Sequence, residues 1–263
     1  MGIDVRHEIY EGLGEASSIG LGFTRRAFQM LPKLTHPRIL DIGCGQGRAT
    51  LELARLSGGQ VVGLDIDEAA LEVLSWRIEA EGLAGQVQIV RGSLFDLDFP
   101  DGSFDVLWAE GALNIIGFGK GLRAWRRLIR PEGFLVIHEG VWLQPDPPQV
   151  IVDRWQPVFA DIDTIPGYVA QLPHYGYQLV GQFPLPKDFW WDNFYALVEE
   201  RIRSLRKMYA GQPAVQKILE KEQAEVDLYR DHARWYGSAF LVMQKTGSAP
   251  GGTGGLTGGG TGV

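Results

Sequence analysis

Between Pro37 and Leu143 the chain alternates short apolar runs with amphipathic stretches, and this alternation constrains the fold more than any other feature. Arg38–Ile42, Gln60–Leu64, Val87–Val90, Phe104–Ala109 and Phe134–His138 read as strands that are apolar almost throughout. Strands of that kind belong to a parallel sheet covered on both faces, since a half-exposed strand would alternate. Ala49, Leu51, Leu53, Ala54 and Leu56 mark an intervening helix stopped by Gly58-Gly59. Asp67 is placed as the N-cap of the next, with Glu68 in its first turn and Ala70, Leu71, Leu74 and Ile78 at helical spacing until Gly82. A third helix is expected over Leu122–Ile129, closed by Arg130-Pro131-Glu132-Gly133. The predicted class is α/β, a doubly wound, mostly parallel sheet.

The C-terminal third follows another pattern. Short helices are expected over Pro147–Phe159 and Ile165–His174, limited by Pro157 and Pro173, and a strand over Tyr177–Leu185. Residues 193–209 and 213–235 repeat apolar side chains at helical spacing, and Ser238–Gln244 reads as a last strand. A helical insertion between two terminal strands would form a cap over the sheet, at about residues 188–235. Seven of the eight tyrosines fall after position 167, so this cap is rich in aromatic residues. The expected division is an N-terminal helical segment 1–36, an α/β core 37–143, C-terminal strands with the cap 144–245, and a tail 246–263. Nine of the chain's 35 glycines lie between Gly247 and Val263, in a stretch without charge that is expected to be disordered and dispensable.

The chemistry-bearing run is Asp41-Ile42-Gly43-Cys44-Gly45-Gln46-Gly47, between the first strand and its helix. Glycines at such a turn let a ligand approach free N–H groups at a helix start. A nicotinamide fingerprint would be G-x-G-x-x-G, whereas Arg48 follows Gly47 here and the spacing is G-x-G-x-G. Asp65 stands twenty residues past Gly45, at the end of the second strand, where an acid accepts ribose hydroxyls. Gly92-Ser93-Leu94 follows the third strand, and Ala109-Glu110-Gly111 ends the fourth.

Taken in register, these features resemble the class I S-adenosylmethionine-dependent methyltransferases, in the small-molecule branch. The likeness covers roughly residues 37–143 and extends through the last strands to about 245. It implies a Rossmann-like seven-stranded sheet with an antiparallel C-terminal strand, and S-adenosyl-L-methionine as cofactor. Carried over residue by residue, the cofactor contacts would be Asp41, Gly43, Gly45, Gly47, Asp65, Ile66, Ser93, Leu94, Ala109 and Glu110. Ser93 departs from the family, which often has an acid there.

Acceptor chemistry should gather at strand C-termini. Glu110 and His138 are the candidate catalytic groups, with His138 readable equally as a hydrogen-bonded structural residue. Glu139, His174, Trp190, Trp191 and Tyr195 are candidates for the acceptor pocket, the aromatic ones alternatively as cap core. Cys44 reads as a small buried hydrophobe rather than a nucleophile. Arg201, Arg203, Arg206 and Lys207, with Glu199 and Glu200 beside them, read as a solvated helix face.

Composition narrows the partners. A net charge of −7 argues against nucleic acid, because phosphate contacts need a basic surface. One cysteine excludes an internal disulfide framework and a cysteine-rich metal site, and no metal is expected. No signal-peptide pattern and no long apolar stretch occur, so no membrane association is expected and the expected location is cytoplasmic. The expected activity is methyl transfer to a small or medium organic acceptor. The alternatives are an NAD(P)-dependent oxidoreductase and a non-catalytic nucleotide-cofactor-binding protein.

Overall fold

The computed structural model of the chain describes residues 4–11, 13 and 20–247. Its elements run α1 (Val5–Tyr10), α2 (Leu21–Gln29), β1 (Arg38–Ile42), α3 (Arg48–Ser57), β2 (Gln60–Asp65), α4 (Glu68–Ala80), β3 (Val87–Arg91), β4 (Phe104–Glu110), α5 (Leu113–Ile116), α6 (Phe118–Trp125), β5 (Ile129–Trp142), α7 (Gln149–Trp155), α8 (Ile165–Gln171), β6 (Tyr177–Pro184), α9 (Ala196–Met208), α10 (Pro213–His232) and β7 (Tyr236–Lys245). The seven strands form one sheet in the order β3-β2-β1-β4-β5-β7-β6. All pairs from β3 to β5 are parallel, and β7 runs antiparallel between β5 and β6. The chain order reverses between β1 and β4, the position where ligands bind in open α/β sheets.

The apolar strands fill both faces because neighbouring residues in register point the same way. Leu40 lies between Val62 and Leu107, and all three join the core beneath α5, α6 and α8. Ile39, Val61 and Val106 face the opposite core, closed by α2, α3 and α4. Asp67 caps α4 as its position predicts, accepting from the N–H groups of Ala69 at 3.0 Å and Ala70 at 3.4 Å.

Several boundaries differ from the sequence reading, each for a local reason. β5 runs well past His138 to Trp142, because β7 pairs with it along that extension, down to Trp142 opposite Tyr236. The helix expected over Leu122–Ile129 starts earlier, at Phe118, and ends in a 3₁₀ turn over Arg126–Leu128. The helix expected through His174 stops at Gln171, where Pro173, lacking an N–H, leads a 3₁₀ turn over Leu172–Tyr175. The helix expected over Pro147–Phe159 is confined to Gln149–Trp155. The first cap helix begins as a π turn, Trp191–Tyr195, before α9.

The segment before β1 divides between two cores. α2 packs on the sheet with Ala27 fully buried, whereas Val5 and Ile9 of α1 enter a third core with α9, α10 and Trp142. That third core is the cap. Tyr10 donates to Glu222 at 2.6 Å, and Tyr209 donates to Glu8 at 2.9 Å, so α1 is bonded to the cap helices as well as packed on them. The glycine-rich residues 248–263, expected to be disordered, lie outside the described residues. No helix among the described residues is long and apolar enough to cross a membrane.

Candidate active site

The glycine loop leaves β1 and returns its N–H groups to the sheet edge. Gly43 and Cys44 both donate to the carbonyl of Leu64, at 2.8 and 3.0 Å, and Gly45 donates to Asp65 Oδ2 at 2.7 Å. Asp65 Oδ1 accepts from the N–H of Asp67 at 2.9 Å, so the carboxylate is held by backbone on both sides. A carboxylate has about four acceptor positions, which leaves room for two further hydroxyl donors. A Cβ at Gly43 would meet Ala112 at 2.7 Å, and one at Gly47 would meet Leu74 at 2.1 Å. At Gly45, with φ of +52°, nothing among the described residues beyond its chain neighbours lies within 4 Å of that position. Packing therefore demands Gly43 and Gly47, while Gly45 faces open space. Ile66, next to Asp65, is 66% exposed, an apolar side chain presented at the end of β2.

Two acids stand behind this loop. Asp41 is only 2% exposed and accepts from the Thr50 hydroxyl at 2.6 Å. Burial pushes it up to about 7 against that hydrogen bond, and the charges of Glu110 and Asp65 push the same way. Glu110 accepts from Trp108 Nε1 at 2.8 Å and from Thr24 Oγ1 at 2.9 Å, and burial raises it to about 7. Its carboxyl thus joins β4 to α2 and does not line the cavity described below. Burial pushes the Cys44 thiol up, consistent with a packing role. Ala109, expected from sequence to contact the cofactor, is fully buried in the core. Ser93 Oγ accepts from the Phe95 N–H at 3.3 Å, and the Leu94 carbonyl accepts from Trp125 at 3.0 Å.

On the other side of Gly111–Asn114 lies a cavity of about 360 Å3. Gly111, Asn114, His138, Glu139 and Gly140 line its sheet side, and Trp155, Phe159, Trp190, Phe194, Tyr195, Tyr229 and Tyr236 line its cap side. Ala112, which touches Gly43, belongs to the same short segment, so loop and cavity are neighbours across it. The unpartnered buried side-chain polar atoms among the described residues are both ring nitrogens of His138, Glu139 Oε2, Trp155 Nε1 and Tyr236 Oη, and every one belongs to a residue of this cavity. Native proteins leave few such groups, because each forfeits a hydrogen bond it had in water. Their convergence leaves this cavity with unused hydrogen-bonding capacity at one end. Burial holds His138 down at about 3, so the imidazole is neutral, and raises Glu139 to about 7 against the N–H groups of Gly140 and Asn114.

Of the pocket residues expected from sequence, Glu139, Trp190 and Tyr195 line the cavity together with His138. Trp190 donates its indole N–H to Ser238 at 3.0 Å. Trp191 does not line the cavity and instead carries the Arg230 guanidinium over its ring at 4.9 Å. His174 is exposed on the 3₁₀ turn after α8, because Tyr168 and Leu172 take the buried positions there. The sequence reading missed Asn114, Trp155, Phe159, Phe194, Tyr229 and Tyr236. For Phe194, Tyr229 and Tyr236 the advance signal was the concentration of aromatic residues in the cap, whereas Asn114, Trp155 and Phe159 carried none.

Comparison with known proteins agrees with this architecture. Residues 39–133 match the family model described as a methyltransferase domain. The ubiquinone/menaquinone biosynthesis C-methyltransferase UbiE of Azotobacter vinelandii is 38% identical over 105 residues, 39% of this chain and 42% of that protein. The curated relatives are matched over 28% to 52% of their own length, so the chain spans at most about half of each. A methyltransferase structure from Thiobacillus denitrificans, in complex with S-adenosyl-L-homocysteine, superposes with a TM-score of 0.73 at 20% identity, covering 93% of this chain and 100% of that one. The [4+2]-cyclase SpnF superposes with a TM-score of 0.69 at 19% identity, over 92% and 95% of the two chains. The fold is thus the Rossmann-like one that these proteins share.

Proposed function

We infer that this chain, whose residues 39–133 match the methyltransferase-domain family model, is an S-adenosylmethionine-dependent methyltransferase acting on a small organic acceptor held in the cavity. One observation carries the reading: an open glycine turn latched to Asp65 adjoins a cavity that collects the unpartnered buried polar atoms. The residues present fit the cofactor. Asp65 retains acceptor capacity for two ribose hydroxyls, Ile66 offers an exposed apolar surface for adenine, and the space at Gly45 suits a close backbone approach. Ser93 and the Leu94 backbone would take the adenine edge.

When bound, the cofactor supplies a methyl group already activated on a sulfonium. The protein then has little bond chemistry left to promote. Its cavity must orient the acceptor and exclude water, effects that reach about 7–11 kcal/mol in favourable cases. Glu139 Oε2 is the group suited to receive a proton, since its raised affinity matches neutral pH and its second oxygen is fixed by Gly140. Such a base contributes on the order of 10²–10⁴-fold. His138, neutral and unpaired, would serve as a hydrogen-bond partner at either nitrogen. Glu110, occupied by Trp108 and Thr24, would position β4 and α2.

Calorimetry with S-adenosylhomocysteine and a metabolite screen for a one-methylene mass gain test the reading together. Absence of saturable binding would sink it, and tight NADH binding would favour the oxidoreductase. A second reading, cofactor binding without transfer, keeps its place because the shared fold includes a protein described as a cyclase. It predicts binding with no formation of S-adenosylhomocysteine from S-adenosylmethionine under any acceptor.

A further inference from the structure

We propose that the cavity is an aromatic cage for a cationic amine, with Glu139 as its counter-charge, so that the acceptor atom is a nitrogen. The proposal rests on the transferase reading and narrows it to a substrate class.

Glu139 is 3% exposed; its Oε1 accepts from the Gly140 N–H at 2.9 Å, the Asn114 N–H also faces the carboxyl, and Oε2 has no partner. Among the described residues, neither lysine nor arginine lines the cavity. A buried carboxylate without an opposing charge is costly, and a bound cation would relieve that cost. His138, the other titratable ring at that end, is held neutral by burial and so does not oppose a positive ligand. Carboxylate, phosphate and diphosphate ligands would meet one acid and no base.

The walls point the same way. Seven tryptophan, tyrosine and phenylalanine side chains line the cavity. Aromatic rings attract cations through their quadrupole, most strongly where water is excluded, and quaternary ammonium recognition uses such cages. Trp155 Nε1–H and Tyr236 O–H neighbour one another without closing a hydrogen bond, which leaves donor capacity for an acceptor atom on the same ligand. The class is therefore an oxygen-bearing amine.

The transfer balances. The ammonium proton passes to Glu139 Oε2, and the freed nitrogen lone pair forms the N–C bond as the C–S pair returns to sulfur. Positive charge moves from sulfonium to nitrogen, leaving a thioether. The proton then leaves Oε2 for solvent, and the carboxylate faces the new ammonium.

The test uses the full chain with benzyltrimethylammonium and its neutral carbon isostere, neopentylbenzene, read by tryptophan fluorescence. The cage predicts saturable binding of the cation, at least tenfold tighter than the isostere. Glu139→Gln should erase that difference, and Trp190→Leu should weaken the cation severalfold. S-adenosylhomocysteine binding on the same samples reports folding. Equal binding of the two probes, preference for the neutral one, or no binding of either overturns the proposal. Loss of S-adenosylhomocysteine binding with the cation preference intact would instead sink the transferase reading and leave the cage standing.

Discussion

Gly45 and Gly58 form a matched pair that separates cofactor contact from backbone strain. Both are left-handed, with φ of +52° and +58°, and among the described residues an added Cβ at either meets nothing within 4 Å beyond its chain neighbours. Alanine at each position keeps the N–H, so the Gly45 bond to Asp65 and the Gly58 bond to Ala54 persist. The folding cost is then the left-handed penalty alone, roughly 1–2 kcal/mol in either variant. For a chain of this size each kcal/mol corresponds to about 2–4 °C in Tm. Scanning fluorimetry should therefore show two similar, modest losses. Calorimetry with S-adenosylhomocysteine should separate them, because only the Gly45 methyl projects into the space assigned to the cofactor. Gly45→Ala should lose tenfold or more in affinity, about 1.4 kcal/mol, whereas Gly58→Ala should bind as the parent does. Equal affinity in both variants, at equal stability, would refute the placement of the cofactor against this loop.

Other outcomes follow from the same geometry. Asp65→Ala should abolish saturable S-adenosylhomocysteine binding in calorimetry while the far-ultraviolet dichroism stays native. Asp41, Glu110 and Glu139 are each raised to about 7, so in the folded chain they keep protons that the unfolded chain has already lost. Their contribution to stability is full below about pH 4 and declines as pH rises toward 7, so unliganded protein should melt higher near pH 5 than near pH 8. Glu139→Gln should reduce that difference, and a flat profile in the parent would contradict the burial of these acids. Thr24→Val removes one of two donors to Glu110 and should cost about 1–3 kcal/mol in urea unfolding.

What could be read in advance was whatever lay close together in sequence. The alternation from Pro37 to Leu143 locates the five parallel strands, and the spacing of Gly43, Gly45, Gly47 and Asp65 gathers the loop that the structure latches together. The cavity was less legible because its walls come from distant segments: Gly111 and Asn114, the β5 extension, α7 and the turn after it, the π turn and the start of β7. The β5 extension itself is hidden, since His138-Glu139-Gly140 interrupts its apolar run and only pairing with β7 carries it on. His174 stood beside an aromatic residue in sequence, but the turn led by Pro173 leaves it in solvent. α1 was invisible as part of the cap, because six residues hold too few turns to show a period.

That last contact has a consequence for how the molecule comes off the ribosome. The bond from Tyr10 to Glu222 spans 212 positions, and the one from Tyr209 to Glu8 spans 201. A helix of six residues cannot persist by itself, so α1 waits for the residues some 200 positions later before it has these partners. The sheet strands β1 to β5 need no such delay, and domains assemble from the N-terminus as synthesis proceeds. The roof over the cavity should therefore be the last part to form. Until then Val5 and Ile9 remain unburied, open to any chaperone that holds short apolar segments.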